Sequence, residues 1–183
     1  MMPTMALPEL PTASSADDLV ASLHRDQYRA LVRLAGLLLH DPGASEEVVQ
    51  DAFVQLHLRW RRLRDPDKAA AWLRSAVLNG ARSRLRHLEV RRRHAAEARG
   101  DDGHESAEDA ALARGTHDRL VAALRTLPAR QREAVVLRYY LDLSEAEMAA
   151  AMGVSAGSVK THLHRGLAAL HTRIDGREAE GTS

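Results

Sequence analysis

Seven small, hydroxylated or cationic residues lie between positions 155 and 165, at spacings that one face of a helix would present together. They are Ser155, Gly157, Ser158, Lys160, Thr161, His164 and Arg165. Hydroxyl and cationic groups bond phosphate oxygens and base edges, and the free N–H groups of a helix N-terminus favour phosphate. The pattern predicts a helix that reads duplex DNA in the major groove. The alternative is a two-helix hairpin with a solvated polar face.

A helix-turn-helix is predicted over residues 144–165, SEAEMAAAMGVSAGSVKTHLHR, and would position that face. Ser144 and Glu147 have the spacing of a capping box, and Gly153 suits a tight turn at positive φ. Ser155 is a suitable cap for the second helix. The inward face of that helix is predicted to be Val159, Leu163, Leu167 and Leu170.

Charge is segregated along the chain, although the formal net charge is only +1. Between Gln55 and Arg99 there are 13 lysines and arginines against 4 carboxylates. Between Gly100 and Asp118 there are 6 carboxylates against 1 arginine. A cationic block beside an acidic connector favours a polyanionic partner. The alternative is a basic helix end that only meets solvent.

Composition favours an all-α fold, because the chain has only 1 Phe, 2 Trp and 3 Tyr and strands are enriched in aromatic and β-branched residues. There is no cysteine and no histidine pair at i, i+4, so we expect no metal and no cofactor. No phosphate-binding glycine loop or nucleophile elbow is present, and we expect no enzymatic activity. Without a secretory signal or an apolar run near the roughly 20 residues of a membrane span, we expect a cytoplasmic protein without membrane insertion.

The hydrophobic pattern predicts two small helical domains. We expect a disordered tail over 1–16, a helical domain over 17–97, a flexible acidic linker over 98–116, a helix-turn-helix domain over 117–174 and a tail over 175–183. In the first domain Ser45 is predicted to open the second helix, and a third helix to run from about Lys68 to Arg93. The inner stripe of the third helix is predicted to be Ala71, Trp72, Ala76, Val77, Ala81, Leu85 and Leu88.

Four segments carry a resemblance to a known family: EEVVQDAF, AWLRSAVLN, LPARQREAVVLRYY and GVSAGSVKTHLHRGLAAL. In this order and spacing the chain resembles bacterial sigma factors of the extracytoplasmic function group, over about 150 residues. The resemblance implies a protein that binds core RNA polymerase, recognises the −10 and −35 promoter elements and initiates transcription. The implied partners are promoter DNA, the clamp coiled coil of the largest polymerase subunit and the flap of the second-largest subunit. The resemblance also leaves room for an anti-sigma factor.

Matching residue by residue to this family assigns the seven residues between 155 and 165 to the −35 element. Asn79 matches the family's pocket asparagine, and the loop over 64–68 matches the base-capturing loop. Ser83 lies one helical turn from Asn79, and the density of arginines nearby favours phosphate contact. The residues predicted to meet the −10 element are Asn79, Arg82, Ser83, Arg84 and Arg86. The alternative for Asn79 is an amide on the helix surface. An extruded base needs bonds to its edge, and an asparagine amide offers both a donor and an acceptor.

Polymerase binding needs an exposed, partly acidic helix face, and the alternative is an ordinary solvated face. The residues predicted to form it, at spacings near one face of the second helix, are Glu46, Glu47, Gln50, Asp51 and Gln55, with Leu56 and Trp60 as apolar anchors.

The competing hypothesis is a stand-alone helix-turn-helix regulator whose first domain senses a ligand or dimerises. Such a regulator binds duplex DNA unaided, typically as a dimer on a palindrome. A sigma factor instead needs core enzyme and contacts two separated elements.

Overall fold

The computed structural model describes residues 13–60, 68–99 and 116–180, and these ranges form helices connected by turns. The helices are α1 (Ala13–Leu39), α2 (Pro42–Arg59), α3 (Ala69–Arg99), α4 (Thr116–Arg125), α5 (Ala129–Tyr139), α6 (Glu145–Met152) and α7 (Ala156–Glu180). No strand occurs within the described ranges, which confirms the all-α prediction. Most of the predicted linker, residues 100–115, and most of the loop over 64–68 lie outside them.

Helices α1, α2 and α3 form a first unit around fully buried leucine and valine side chains. Leu34 of α1, Leu56 of α2 and Leu73 of α3 are all at 0% exposure. Gly80 allows α2 and α3 to cross closely, because a Cβ atom at this position would lie 2.7 Å from Cγ1 of Val48. The crossing therefore fixes α2 against the middle of α3.

The predicted cap of α2 is wrong. Asp41, rather than Ser45, caps this helix, and its side chain accepts a hydrogen bond from the Ala44 N–H at 3.0 Å. Pro42 explains the earlier start, because proline suits the first turn of a helix, where its missing N–H has no partner to lose. Ser45 is instead buried within the first turn of α2, with its hydroxyl donating to the carbonyl of Asp41 at 2.6 Å.

The inner stripe of α3 also differs from the prediction. Leu73 and Leu78 are fully buried, whereas Ala71 and Leu88 are exposed. At about 1.5 Å per residue, α3 is far longer than α2, so its later part extends beyond the helix that could cover Leu88. The apolar pattern along α3 therefore marks the core only in its first half.

Helices α4 to α7 form a second unit, in which α6, the turn at Gly153 and α7 follow one another as a helix-turn-helix would require. Ser144 and Glu147 make both bonds of the capping box, and Gly153 ends α6 in the left-handed conformation with φ of 66°. Hydrogen bonds from Ser144 lower the pKa of the Glu147 carboxyl. Val159 and Leu170 of the predicted inward face are buried, while Leu163 is half-buried and Leu167 is partly exposed.

The two units pack against each other. Helix α1 contacts α4 and α5, helix α3 contacts α6, and the buried apolar side chains of both units form one continuous cluster. Helix α1 already begins at Ala13 and α7 continues to Glu180, so helical structure reaches into both predicted tails.

Gly166 places α7 against α5, and we expect its replacement by alanine to destabilise the second unit. A Cβ atom at Gly166 would lie 2.9 Å from Cγ2 of Val135 and 3.1 Å from the backbone oxygen of Gln131. Overpacking of this kind costs about 1–3 kcal/mol in the free energy of unfolding, and urea denaturation followed by circular dichroism measures it. Gly157→Ala is the matched control, because the same helix has no neighbour closer than 3.9 Å there. Equal denaturation midpoints for the two variants would contradict the proposed close packing.

Candidate nucleic-acid interface

The first half of α7 presents the residues matched to the −35 element on an accessible surface. Six of the seven are exposed and Ser158 is half-buried. Ser155 caps the helix, since its hydroxyl accepts a hydrogen bond from the Ser158 N–H at 3.2 Å. Lys160 pairs with Glu145 of α6 at 3.3 Å, and both side chains are largely exposed, so the pair is weak and its lysine is available for another anion.

The residues matched to the −10 element lie along the middle of α3. Asn79, Arg84 and Arg86 are exposed, whereas Arg82 and Ser83 are half-buried. Arg84 pairs at 3.1 Å with Glu47 of α2, a residue that the sequence assigned to polymerase binding. Two predicted surfaces with different partners are therefore adjacent in space.

A groove of about 480 Å³ runs between α2 and α3. Asn79 and Ser83 line its α3 side together with Trp72, and Glu47 and Asp51 line its α2 side. Trp72, predicted to face the core, is half-buried: it packs against the core and also lines the groove. Its spacing from Asn79, two helical turns, was the sequence signal that could have placed both residues on one side of α3.

The exposed face of α2 contains all five polar residues matched to core polymerase, Glu46, Glu47, Gln50, Asp51 and Gln55. The prediction that two apolar anchors lie exposed beside them is wrong, because both side chains are buried. Leu56 is 0% exposed and Trp60 is 4% exposed, because both side chains pack into the core of the first unit. Two apolar residues that the sequence pattern did not single out are exposed on α2, Val54 at 57% and Leu58 at 75%.

Arg82 makes a bidentate ion pair that joins the two units. Its Nε donates to Oε1 of Glu133 at 2.8 Å, and its Nη2 donates to Oε2 at 2.7 Å. The same guanidinium donates to Oδ1 of Asn79 at 2.8 Å and to the backbone oxygen of Met152 at 3.3 Å. Glu133 also accepts from Arg130 at 3.2 Å within its own unit. The two partners are 51 positions apart, and no local sequence pattern indicates the pair.

A second polar contact between the units involves His40, which ends α1 with φ of 58°. Its Nε2 lies 3.0 Å from Nη1 of the buried Arg132. Arginine only donates, so the imidazole nitrogen accepts and His40 is neutral in this contact. Burial, and then the charges of Arg132 and Arg125, lower the pKa of His40 from 6.5 to about 4.

Within the described ranges, no helix combines the length and apolar character needed to cross a membrane. The same ranges contain no group of three or more histidine and carboxylate side chains placed to hold a metal ion.

Comparison with known proteins identifies both units. The family model described as "Sigma-70 region 2" matches residues 23–91, and that described as "Sigma-70, region 4" matches residues 117–170. An RNA polymerase sigma-E factor of Streptomyces avermitilis is 36% identical over 159 residues, which cover 85% of each chain. An ECF RNA polymerase sigma factor SigK of Mycolicibacterium vanbaalenii is 30% identical over 155 residues, covering 79% of this chain and 76% of the relative.

The fold is similar to a solved sigma factor as well. RpoE of Bartonella quintana, solved in complex with the anti-sigma factor NepR, superposes with a TM-score of 0.65 at 22% identity, covering 84% of this chain and 97% of that one. Both matched family regions belong to sigma factors, so the stand-alone regulator has no support.

The geometry of His40 predicts that the contact between the units weakens in mild acid. Because the pKa of His40 is lower in the packed form, packing favours the neutral imidazole, and its contribution is complete above pH 6.5 and declines as the pH falls towards 4. We expect the thermal midpoint of the native chain to fall over this window more steeply than that of His40→Asn. Asparagine tolerates the left-handed backbone and cannot be protonated here. Carboxylates are protonated in both proteins over this pH range, so their effect on the thermal midpoint cancels in the comparison. Parallel profiles of thermal midpoint against pH for the native chain and His40→Asn would contradict a role for His40.

Proposed function

The chain belongs to the extracytoplasmic function group of the sigma-70 family and is an RNA polymerase sigma factor that initiates transcription; from this premise we propose which surfaces meet the polymerase and which meet the promoter. The observation that carries the proposal is that six residues at the start of α7 are exposed, and that α3 presents a separate face that contains arginines. The second unit reads the −35 element, and the first unit reads the −10 element and grips the polymerase.

Helix α7 lies in the major groove at the −35 element. Lys160, Thr161, His164 and Arg165 face the bases and the adjacent phosphates, where hydroxyl and cationic groups find acceptors. Ser155, Gly157 and Ser158 meet the backbone at the helix N-terminus, where free N–H groups favour a phosphate. The exposed pair of Lys160 with Glu145 opens at little cost when DNA supplies a stronger anion.

The groove between α2 and α3 receives a base of the −10 element extruded from the duplex. Extrusion costs a few kcal/mol, which contacts in the pocket must offset. The amide of Asn79 bonds the edge of the base, Ser83 lies one turn further along, and Trp72 offers an aromatic surface for stacking. Arg82, Arg84 and Arg86 bind the phosphates of the opened strand.

The polymerase clamp binds the exposed face of α2. Its polar part consists of Glu46, Glu47, Gln50, Asp51 and Gln55. Val54 and Leu58 supply the apolar anchors that the sequence pattern had assigned to Leu56 and Trp60, because only exposed side chains gain free energy when a partner covers them. The second unit rests on the flap of the second-largest subunit.

The remaining assignments follow from the same function. The first unit corresponds to a domain over 17–97 and the second to a domain over 117–174, joined by the acidic linker over 98–116. The chain acts in the cytoplasm, where the polymerase performs the chemistry of RNA synthesis, and we assign no catalytic role to the chain itself. An anti-sigma factor is the further regulatory partner.

We expect Lys160→Ala combined with Arg165→Ala to reduce transcription from the cognate promoter at least about tenfold, because contacts to bases contribute about 1–3 kcal/mol each. Run-off transcription with purified core enzyme and genomic fragments measures this loss and first identifies the promoter. Binding to core enzyme should be unchanged. Arg173→Ala, an exposed cation further along α7, is the matched control and should transcribe normally. Loss of polymerase assembly in the double variant would contradict the −35 assignment.

We expect Val54→Ser combined with Leu58→Ser to weaken binding of core polymerase by roughly a hundredfold, since burying one such side chain contributes about 1.5–3 kcal/mol. Binding of labelled chain to core enzyme by fluorescence anisotropy measures the change. Val90→Ser removes a side chain of similar exposure from α3 and should bind as the native chain does. Equal affinities for the α2 variant and this control would overturn the assignment of the α2 face.

A further inference from the structure

The two faces assigned to DNA differ in the packed form, in which the two units contact each other. The α7 face is exposed, and Ser155, Thr161 and Lys160 bond only within the second unit, to Ser158, Gly157 and Glu145. On α3, by contrast, all three side-chain nitrogens of Arg82 donate to protein acceptors, in Glu133, Asn79 and Met152. The pair of Arg84 with Glu47 is exposed, like that of Lys160 with Glu145, and is therefore weak. What distinguishes the face assigned to the −10 element is that Arg82 is already occupied by protein acceptors.

The carboxylate of Glu133 has the geometry of a phosphate bound to an arginine. Its two oxygens accept from Nε and Nη2 of Arg82, the fork arrangement in which arginine binds carboxylate and phosphate alike. The Glu133 side chain is only 4% exposed, so the pair is little screened by solvent and excludes a second anion from the same nitrogens.

The pair can nevertheless open without leaving a buried charge alone. Arg130 of the second unit donates to Oε2 of Glu133 at 3.2 Å and also to the backbone oxygen of Met152 at 3.0 Å. When Arg82 departs, Glu133 keeps a cationic partner, and Arg82 meets water or DNA. Removing a partner from a buried ion pair is costly mainly because the remaining charge is uncompensated. Because Arg130 remains beside Glu133, the cost of opening the pair with Arg82 is reduced.

We propose that Glu133 of the second unit is an internal competitor for DNA: in the packed form it occupies Arg82 in place of a strand phosphate, so the free chain leaves the α7 face accessible but cannot bind the opened −10 strand until the units separate. The proposal rests on the DNA-binding role of Arg82 given under Proposed function. The other polar contacts between the units hold the same packed form: Arg132 with His40, Tyr140 with the Ala30 carbonyl at 3.4 Å, and Arg74 with Glu147 at 4.0 Å.

The direct test is Glu133→Gln in the full chain without polymerase. We expect binding to a fluorescein-labelled, random-sequence single strand of about 12 nucleotides to tighten roughly tenfold, because apparent affinity rises with the fraction of the binding-competent form. The log–log salt slope should steepen by about 0.7 for each additional phosphate that the variant neutralises. Binding to a short random-sequence duplex should stay unchanged. Asp142→Asn is the matched control, since it makes the same charge change at an exposed position of the second unit.

A distance measurement tests the conformational part. The chain has no cysteine, so spin labels can be attached at Arg25→Cys on α1 and Thr172→Cys on α7, both exposed. We expect one narrow distance distribution for the native chain and a broader, longer one for Glu133→Gln. A broad distribution in the native chain, or unchanged single-strand binding in Glu133→Gln, would overturn the proposal.

If Glu133→Gln loses duplex binding because its second unit is damaged, Tyr140→Phe provides the second variant. It removes one hydrogen bond between the units without touching Glu133, and we expect single-strand binding to tighten roughly threefold. No tightening in that variant would count against the proposal. Arg82→Ala in the polymerase holoenzyme separates this question from the proposed function: normal promoter opening by permanganate reactivity would refute the role of Arg82 in DNA binding, whatever Glu133→Gln does.

Discussion

A carboxylate as deeply buried as that of Glu133 must have a cation beside it, and in this chain two arginines from different units share that task. Arg130 comes from the same helix, and Arg82 comes from α3 of the other unit. An isolated buried charge would cost several kcal/mol. Under the proposed function DNA needs Arg82 as well, so the packing of the two units and the access of DNA to α3 depend on the same side chain. Substitution of Arg82 or Glu133 is therefore expected to change both the packing of the units and the binding of DNA.

The local parts of the fold could be predicted from the sequence because short-range chemistry determines them. Ser144, Glu147 and Gly153 form the capping box and the left-handed turn whatever the rest of the chain does, and the structure reproduces each bond. The start of α2 shows where such reasoning fails. Asp41 and Ser45 are both suitable caps, and the choice is made by Pro42, whose ring belongs in the first turn rather than before it.

The parts that could not be predicted depend on contacts between distant residues. Leu56 and Trp60 share one apolar stripe of α2 with Phe53, and all three side chains are buried. Helical periodicity identifies such a stripe but does not say whether it fills the core or contacts a partner. The pairing of Arg82 with Glu133 spans 51 positions and depends on how the surfaces of the two units meet. Residue type and spacing therefore select candidate site residues, whereas the pairing of Arg82 with Glu133 is visible only in the folded chain.

Gly80 has a mechanical consequence for the way the protein works. The side chain of Val48 occupies the space that a side chain at position 80 would fill, so α2 and α3 are in direct contact at their crossing. Interiors packed this tightly are stiff and transmit displacement. The groove between the two helices therefore keeps its width when a partner binds the outer side of α2. Under the proposed function, the polymerase on α2 and the base in the groove are held at one fixed distance from each other.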